Sequence, residues 1–529
     1  MWNSWCCESD ELNRPRTSAR SRTIHRQRSD PEDDVALYTP PIIGSPTMRR
    51  LRFVFALAIL AVLVSVTRAP AADLNAASCS SADVQAAVNA AASRDRVLVP
   101  AGSCTYTSAV NIPDGKNITI QGAGINVTTI SAGREVRVFI LNGSATRVTG
   151  FTFNQGQILI GGDDTAPVQD WRIDHNRFIG ANINAYTSLS INCPFAVSPK
   201  GTFCRGVIDH NSFENGAQVL PWGWSPPALL HAAWSVPTNL GGADTVFIED
   251  NTFSGPAGQT FQTIDTNYSG RFVFRFNSVA AMSVQVHSLQ SWRGSRAWEI
   301  YKNKVTGAGW TAGLIRGGVG VAWGNQHDSG WGPWVLDNVR SWDTEGRDYG
   351  ACDGTSTADA NTPGRQGYTC RDQIGSGRDL CLSNPSTRTG SATGWCAQSH
   401  EPSYFWLNRT GSSITPIDTG GRGLSTTTHV INDRDFYNEA TSFTGTSGVG
   451  SGPIANRPAA CSQGVAYWAT DEGSWNTTLP ANTSGRLYSC TATNTWTVYY
   501  TPYTYPHPLQ GATGNAPPAP PAPSNLIVR

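Results

Sequence analysis

The chain has 529 residues, and its 39 basic and 39 acidic side chains cancel, so no net field recruits nucleic acid or an anionic membrane. Only 15% of the residues are charged and 53 are glycine, a balance suited to a turn-rich β protein with uncharged polar surfaces. Eighteen tryptophans stand against three methionines. Trp222, Trp224, Trp234, Trp292, Trp310, Trp323 and Trp331 fall in irregular stretches, where indoles serve either as platforms for sugar rings or as lids on a core.

Residues 1–47 are rich in Arg and Ser and lack apolar periodicity. They are expected to be a non-translated or disordered extension, with translation starting at Met48. Residues 48–71 read as a signal peptide: a basic start at Met48, an apolar run from Phe53 to Val66, and the small-residue site Ala69-Pro-Ala71. The run is too short for a comfortable membrane span, so no stable membrane insertion is expected after cleavage. The mature chain is placed outside the cell, secreted or at the cell surface. It then carries ten cysteines, an even number that predicts disulfides in an exported protein. Proximity suggests Cys79–Cys104, Cys193–Cys204 and Cys461–Cys490, with Cys352, Cys370, Cys381 and Cys396 pairing among themselves. The absence of a Cys-x-x-Cys spacing after the signal disfavours structural zinc.

Val84, Val88 and Ala91 at helical spacing behind a Ser/Asp start predict one short helix over 81–93, capping the first coil of a repetitive β structure. Short alternating strands come next, around Val97, Val110 and Ile118. An apolar residue followed at the third position by asparagine then recurs: Ile173/Asn176, Ile208/Asn211, Ile248/Asn251, Phe274/Asn277, Ile300/Asn303 and Val335/Asn338. These asparagines are 26 to 40 positions apart, the period of a solenoid. Alternation turns Trp171, Ile173, Val246, Ile248, Phe272, Phe274, Trp298 and Ile300 inward. The asparagines sit where the chain bends and are read as structural, their amides bonding corner backbone and one another from coil to coil.

Short strands with asparagine at a recurring bend resemble the right-handed parallel β-helix of the pectate lyase-like superfamily. So does the opening, Asp83-Val-Gln-Ala-Ala-Val-Asn-Ala-Ala91 followed by Val99-Pro-Ala-Gly-Ser-Cys104. Phrases such as Arg293-Gly-Ser-Arg-Ala-Trp-Glu-Ile-Tyr301 and Tyr500-Thr-Pro-Tyr-Thr-Tyr-Pro-His-Pro-Leu509 are similar to those of secreted bacterial β-helix proteins of unassigned activity. The resemblance implies an all-β fold: a single-stranded right-handed parallel β-helix over 72–454, interrupted by a disulfide-rich insertion at about 343–400. Residues 455–509 form an aromatic β module closed by Cys461 and Cys490, placed as a cap on the C-terminal end. Residues 510–529 are a Pro-rich tail.

One set of charged residues follows inward apolar ones on successive coils: Asp265 after Ile264, His287 after Val286 and Arg316 after Ile315. Stacked strands lie about 4.8 Å apart, so the three become neighbours. Asp265 would orient and charge-stabilise His287, and Arg316 would bind an acidic group on the other side. Arg293, Arg296 and Trp292 are expected in the same groove. Glu299 and Tyr301 are expected to point outward, and Arg275 and Lys302 to complete a mixed-charge wall. This set could support β-elimination of a uronate polymer, with His287, Tyr301 or Lys302 as base. Asp265 and Glu299 could instead be the acid/base pair of a glycoside hydrolase. The bland alternative is an outer-face salt-bridge ladder without chemistry.

No cofactor is required by this reading; calcium is the one the acidic residues could serve, through Asp174, Asp209, Glu249 and Asp250 on neighbouring coils. The Ile173-Asp-His175 phrase is similar to one near a calcium-binding carboxylate of pectate lyases. The chain lacks their Arg-x-Pro-x-x-Arg segment, and the Asn-Thr-Asp and Arg-Ile-Lys phrases of polygalacturonases, so neither family's catalytic residues are carried over. No phosphate-binding loop, Gly-x-Ser-x-Gly elbow or His-Glu-x-x-His occurs. The expected protein is a monomer that binds and cleaves an extended polysaccharide, lyase ahead of hydrolase. The rival is a non-catalytic adhesin or polysaccharide-recognition protein.

Overall fold

A computed structural model describes residues 71–511 except 162–166, 182–185, 193–202, 224–232, 256–260, 281, 288–292, 310, 312, 329, 332–333, 337–370, 381–397 and 419–429. The expected extension, signal peptide and Pro-rich tail, Trp224, Trp292, Trp310, Asn338, Cys193 and the four cysteines from Cys352 to Cys396 lie outside the described residues. Within them the chain winds through three long sheets, visited in the same order on every coil. Sheet A has twelve strands from Asp73–Asn75 to Phe436–Asn438, sheet B eleven from Gly102–Tyr106 to Ser413–Ile414, and sheet C nine from Val110–Ile112 to Trp334–Leu336. One coil runs Val246–Glu249 in A, Thr252–Ser254 in B and Phe261–Thr266 in C, then returns to A at Arg271–Arg275. Neighbouring strands pair in parallel, apart from the final hairpin of sheet B. This is the parallel β-helix, coiled with the right-handed sense of parallel crossovers.

The turn from A to B explains the recurring phrase. The residue before each asparagine takes a left-handed conformation: His175, His210, Asp250, Phe276, Lys302 and Leu407 have φ from 52° at His175 to 58° at Asp250. The asparagine that follows points inward and is buried. Asn176 N–H donates to Asn211 Oδ1, Asn211 to Asn251, Asn251 to Asn277 and Asn277 to Asn303, each at 3.0 Å. The ladder continues through Asn325 at 3.1 Å and Asn408 at 3.2 Å. Val335 is not part of it: it pairs with Leu314 in sheet C. The last rungs follow Ala322 and Phe405 instead, register partners of Ile300 and of one another.

Inside the coils, Phe153, Phe178, Phe213 and Phe253 stack with centroids 5.1, 4.8 and 4.6 Å apart. Each such buried ring contributes about 1.5–3 kcal/mol. The first coil is covered by a helix, Ser81–Ala90, that buries Val84, Ala87 and Val88. Ser80 caps it by accepting from Asp83 N–H at 3.2 Å, and the Lys116 ammonium closes it on the carbonyls of Val88 and Asn89, both at 3.1 Å. It ends at Ala90, shorter than the expected 81–93, because Ala91 is already extended.

A second core lies outside the coils. Sheet A carries Val207, Phe247, Val273, Tyr301, Val321, Trp323, Tyr404 and Trp406 on its outer face, packed against Trp468, Trp475 and Tyr500. Trp468 and Tyr500 come from a four-stranded sheet (Val449–Gly452, Ala466–Ala469, Arg486–Ala492, Thr495–Tyr500) tied by the Cys461–Cys490 disulfide, and Trp475 from the connection between its second and third strands. The chain then runs back along sheet A as a strap. Arg275 donates to the carbonyls of Tyr503 and Thr504 at 2.7 and 2.8 Å, and Arg172 to those of Leu509 and Gln510 at 3.2 and 3.1 Å. The C-terminal segment therefore covers a side of the helix, where the sequence suggested a cap on its end. Cys79–Cys104 is also formed, and Cys204 is disulfide-bonded.

Candidate functional site

Sheet C leaves charged groups partly open to solvent. Its strands Phe261–Thr266, Met282–Val286 and Gly313–Ile315 turn Ile264, Val284, Val286 and Ile315 into the core and aim the alternate residues outward. The ladder continues one residue past the latter two strands, with His287 N–H on Thr266 O at 3.1 Å and Arg316 N–H on Val286 O at 2.8 Å. That brings His287 and Arg316 side by side. Asp265 Oδ1 lies 2.8 Å from His287 Nε2, with side chains 20% and 16% exposed. Arg316 Nη1 lies 3.4 Å from the same nitrogen and donates to Gln285 Oε1 at 3.0 Å.

Two groups extend this cluster. Gln285 sits directly opposite Asp265 in the register and holds Arg316. Trp222 donates its indole N–H to the Asp265 carbonyl at 3.0 Å and meets Tyr268 edge-on at 5.1 Å, half-buried beside the charges. Gln285 escaped the sequence reading, although alternation alone puts it on the face of His287, two residues away.

The remaining expected site residues are elsewhere. Glu299 and Tyr301 do point out of their strand, but that strand is in sheet A, beneath the C-terminal segment. Glu299 accepts from Gly241 N–H and from the Tyr500 hydroxyl, both at 2.7 Å, and burial raises its pKa. Burial likewise raises the Tyr301 pKa, and its hydroxyl accepts from Arg275 at 2.8 Å. Arg275 is fully buried on Glu249. Lys302 is at the A–B turn, its ammonium 5.4 Å above the Trp323 ring. Arg293 is buried between Asp372 and Asp379, at 2.8 Å from each. Arg296 is buried against Glu401 at 3.1 Å. Trp292 lies outside the described residues. Of the expected mixed-charge wall only Lys302 stays exposed. Arg275, Glu299 and Tyr301 are sealed because a segment two hundred residues downstream covers them, and Arg293 and Arg296 are sealed on Asp372, Asp379 and Glu401.

The carboxylates weighed for calcium are committed too. Asp174 takes Arg147 at 2.7 and 2.5 Å, and Asp209 takes Arg172 at 2.9 and 2.7 Å. Burial pushes the Asp174 carboxyl up, but hydrogen bonds from Arg147 and His175 overcome it and hold the group at about 2. Asp250 accepts from the Tyr505 hydroxyl at 2.7 Å. With Glu249 on Arg275, three of these carboxylates are spent on arginines of the protein itself, and Asp250 on Tyr505 and Gln510. Among the described residues no group of three or more His, Cys, Asp or Glu could hold a metal ion.

No family model matches the chain, and no curated protein matches it. Solved structures do. A PL6 alginate lyase in complex with a trisaccharide is 12% identical over 52% of this chain and 62% of its own length, with a TM-score of 0.32. A PL6 family polysaccharide lyase from Pseudopedobacter saltans is 12% identical, covering 74% of this chain and 88% of that one, also at 0.32. The catalytic domain of a GH87 alpha-1,3-glucanase is 11% identical over 70% and 68%, at 0.27. The chain spans less than two thirds of the first of these.

Proposed function

We propose that this is an exported, monomeric protein that binds an extended acidic polysaccharide across the outer face of sheet C and cleaves it by β-elimination. The observation that carries the reading is the contact of Asp265 and His287, both partly exposed, with the more buried Arg316. A rigid row of coils repeats at about the length of a sugar unit, a better match to a polymer than to a small metabolite. Arg316 would neutralise a uronate carboxylate and so acidify the C–H beside it. His287, its Nε2 side held by the Asp265 carboxylate, would take that proton. The C–H electron pair becomes the ring double bond, the bond to the leaving sugar oxygen breaks with its electron pair on oxygen, and the proton taken by His287 passes to that oxygen, directly or through water. Trp222 would offer an apolar face to a neighbouring sugar. Hydrolysis by Asp265 with Glu299 is disfavoured, since Glu299 is sealed beneath Tyr500.

The disulfides Cys79–Cys104 and Cys461–Cys490 support an oxidising compartment. No helix among the described residues is long and apolar enough to cross a membrane. The test is incubation with pectate, alginate and hyaluronan, with and without calcium, following ultraviolet absorbance of the unsaturated product. Absorbance that grows, and is lost in His287→Ala, supports elimination. New reducing ends without absorbance would replace it with hydrolysis, and retention on a polysaccharide with neither signal would make the protein an adhesin.

A further inference from the structure

Two arginines reach beneath one loop from adjacent coils. Arg271 is in register with Ala297, so Arg296 lies just before its partner strand position. Arg271 donates through Nη1 to the carbonyls of Pro237 and Thr238, both at 2.8 Å, and through Nη2 to that of Ala233 at 3.2 Å. Arg296 donates through Nη2 to the Val236 carbonyl at 3.2 Å and to Glu401 at 3.1 Å. Aromatic rings close the space: Phe203 lies 3.9 Å from the Arg271 guanidinium and Trp234 5.1 Å from that of Arg296. Arg271 is 6% exposed and Arg296 0%.

Among the described residues the charges here do not balance. Two guanidinium groups share one carboxylate, Glu401. Asp372 and Asp379 are taken by Arg293, and Asp244, exposed, is taken by Arg205 at 3.2 Å. Three donor atoms, Arg271 Nε, Arg296 Nε and Arg296 Nη1, are buried yet meet no acceptor among the described residues. Buried donors without acceptors and buried charges without counter-charges are both costly. Burial, then the positive charge of Arg296, depress the Arg271 pKa well below its ordinary value, consistent with a missing negative charge.

We propose that Arg271 and Arg296 together bind a small monovalent anion of halide size beneath the 233–238 loop. Such an ion accepts several charge-assisted N–H bonds at once and restores neutrality. With Arg271 6% exposed and Arg296 buried, the ligand is a small free ion rather than a polymer-bound carboxylate, and the site is distinct from the partly exposed Asp265 and His287. Bound to the folded state alone, it stabilises the protein as its concentration rises.

The full chain, dialysed into sodium gluconate, would be melted at constant ionic strength with increasing sodium chloride or sodium bromide. The midpoint should rise with the logarithm of halide concentration in the wild type and stay flat in Arg296→Gln. A crystal grown in bromide should show an anomalous scatterer touching Arg271 Nε and Arg296 Nη1. Equal midpoints in chloride and gluconate, a halide response that survives in Arg296→Gln, or a water or protein atom at that position would each overturn the proposal. If Arg296→Gln does not fold, the bromide map of the wild type decides.

Discussion

Asp265 touches His287 at 2.8 Å although the strand register sets it opposite Gln285, two residues earlier. The expected stacking was therefore displaced by two positions, and the contact survived it. A shift of one would have turned the aspartate into the core, whereas a shift of two keeps the same face and makes the partners diagonal. Within a dyad each group acts through the other. Asp265→Asn and His287→Ala should each lower turnover by about 10²–10⁴-fold, the usual yield of a positioned base. The double variant should lose little more than the worse single one. Initial rates on the cleaved polymer would show this, and full additivity would separate the two residues.

Asn277 satisfies both neighbours of the corner. Its Oδ1 accepts from the Asn251 backbone and side chain at 3.0 and 3.1 Å, and its Nδ2 donates to Ile248 O and Arg275 O at 2.9 and 3.0 Å. Asn277→Ala strands several of these buried groups at about 1–3 kcal/mol each. Denaturant melts should show a clear loss of stability, with less loss for Asn408→Ala at the last rung. An unchanged midpoint in Asn277→Ala would mean that the ladder is decorative.

The path of the coils was legible because asparagine and the left-handed residue before it are local requirements of one turn. Val335/Asn338 matched the phrase by chance, since Val335 belongs to sheet C, while Ala322 and Phe405 precede the real rungs. Alternation correctly turned Glu299, Tyr301 and Arg275 out of the coil. It could not reveal that Tyr500, Tyr503 and Thr504 fold back over them. Whether an outward charge is a site or a sealed pair depends on contacts across two hundred residues, which periodicity does not encode.

That cover gives Arg275 a structural role. Arg275→Met leaves Glu249 buried without its cation, and breaking such a pair costs about 3–5 kcal/mol. The variant should melt markedly lower while its folded fraction matches the wild type in the assay for the proposed elimination. A rate that collapses with the midpoint intact would return Arg275 to the chemistry.

Acid sensitivity should come from two neutral histidines. Burial depresses His327 to about 4, and it accepts from the Trp334 indole at 3.2 Å. Burial, then the Arg275 charge, depress His507 to about 3, and its ring accepts from Leu509 N–H at 3.2 Å. Both titrate near 6.5 once unfolded, so from about pH 6.5 down to 4 the unfolded chain binds protons that the folded chain refuses. Stability present above pH 6.5 is then lost as pH falls, at up to about 1.4 kcal/mol per pH unit for each histidine. Asp174, held at about 2 against an unfolded 3.8, adds a further loss at lower pH. Glu249 and Glu299 act in the opposite sense: burial raises both, so their protonation partly offsets the fall. Melting midpoints from pH 7 to 4 should decline in the wild type and decline less steeply in His327→Gln, even if that variant starts lower. Parallel curves would assign the acid loss to other groups.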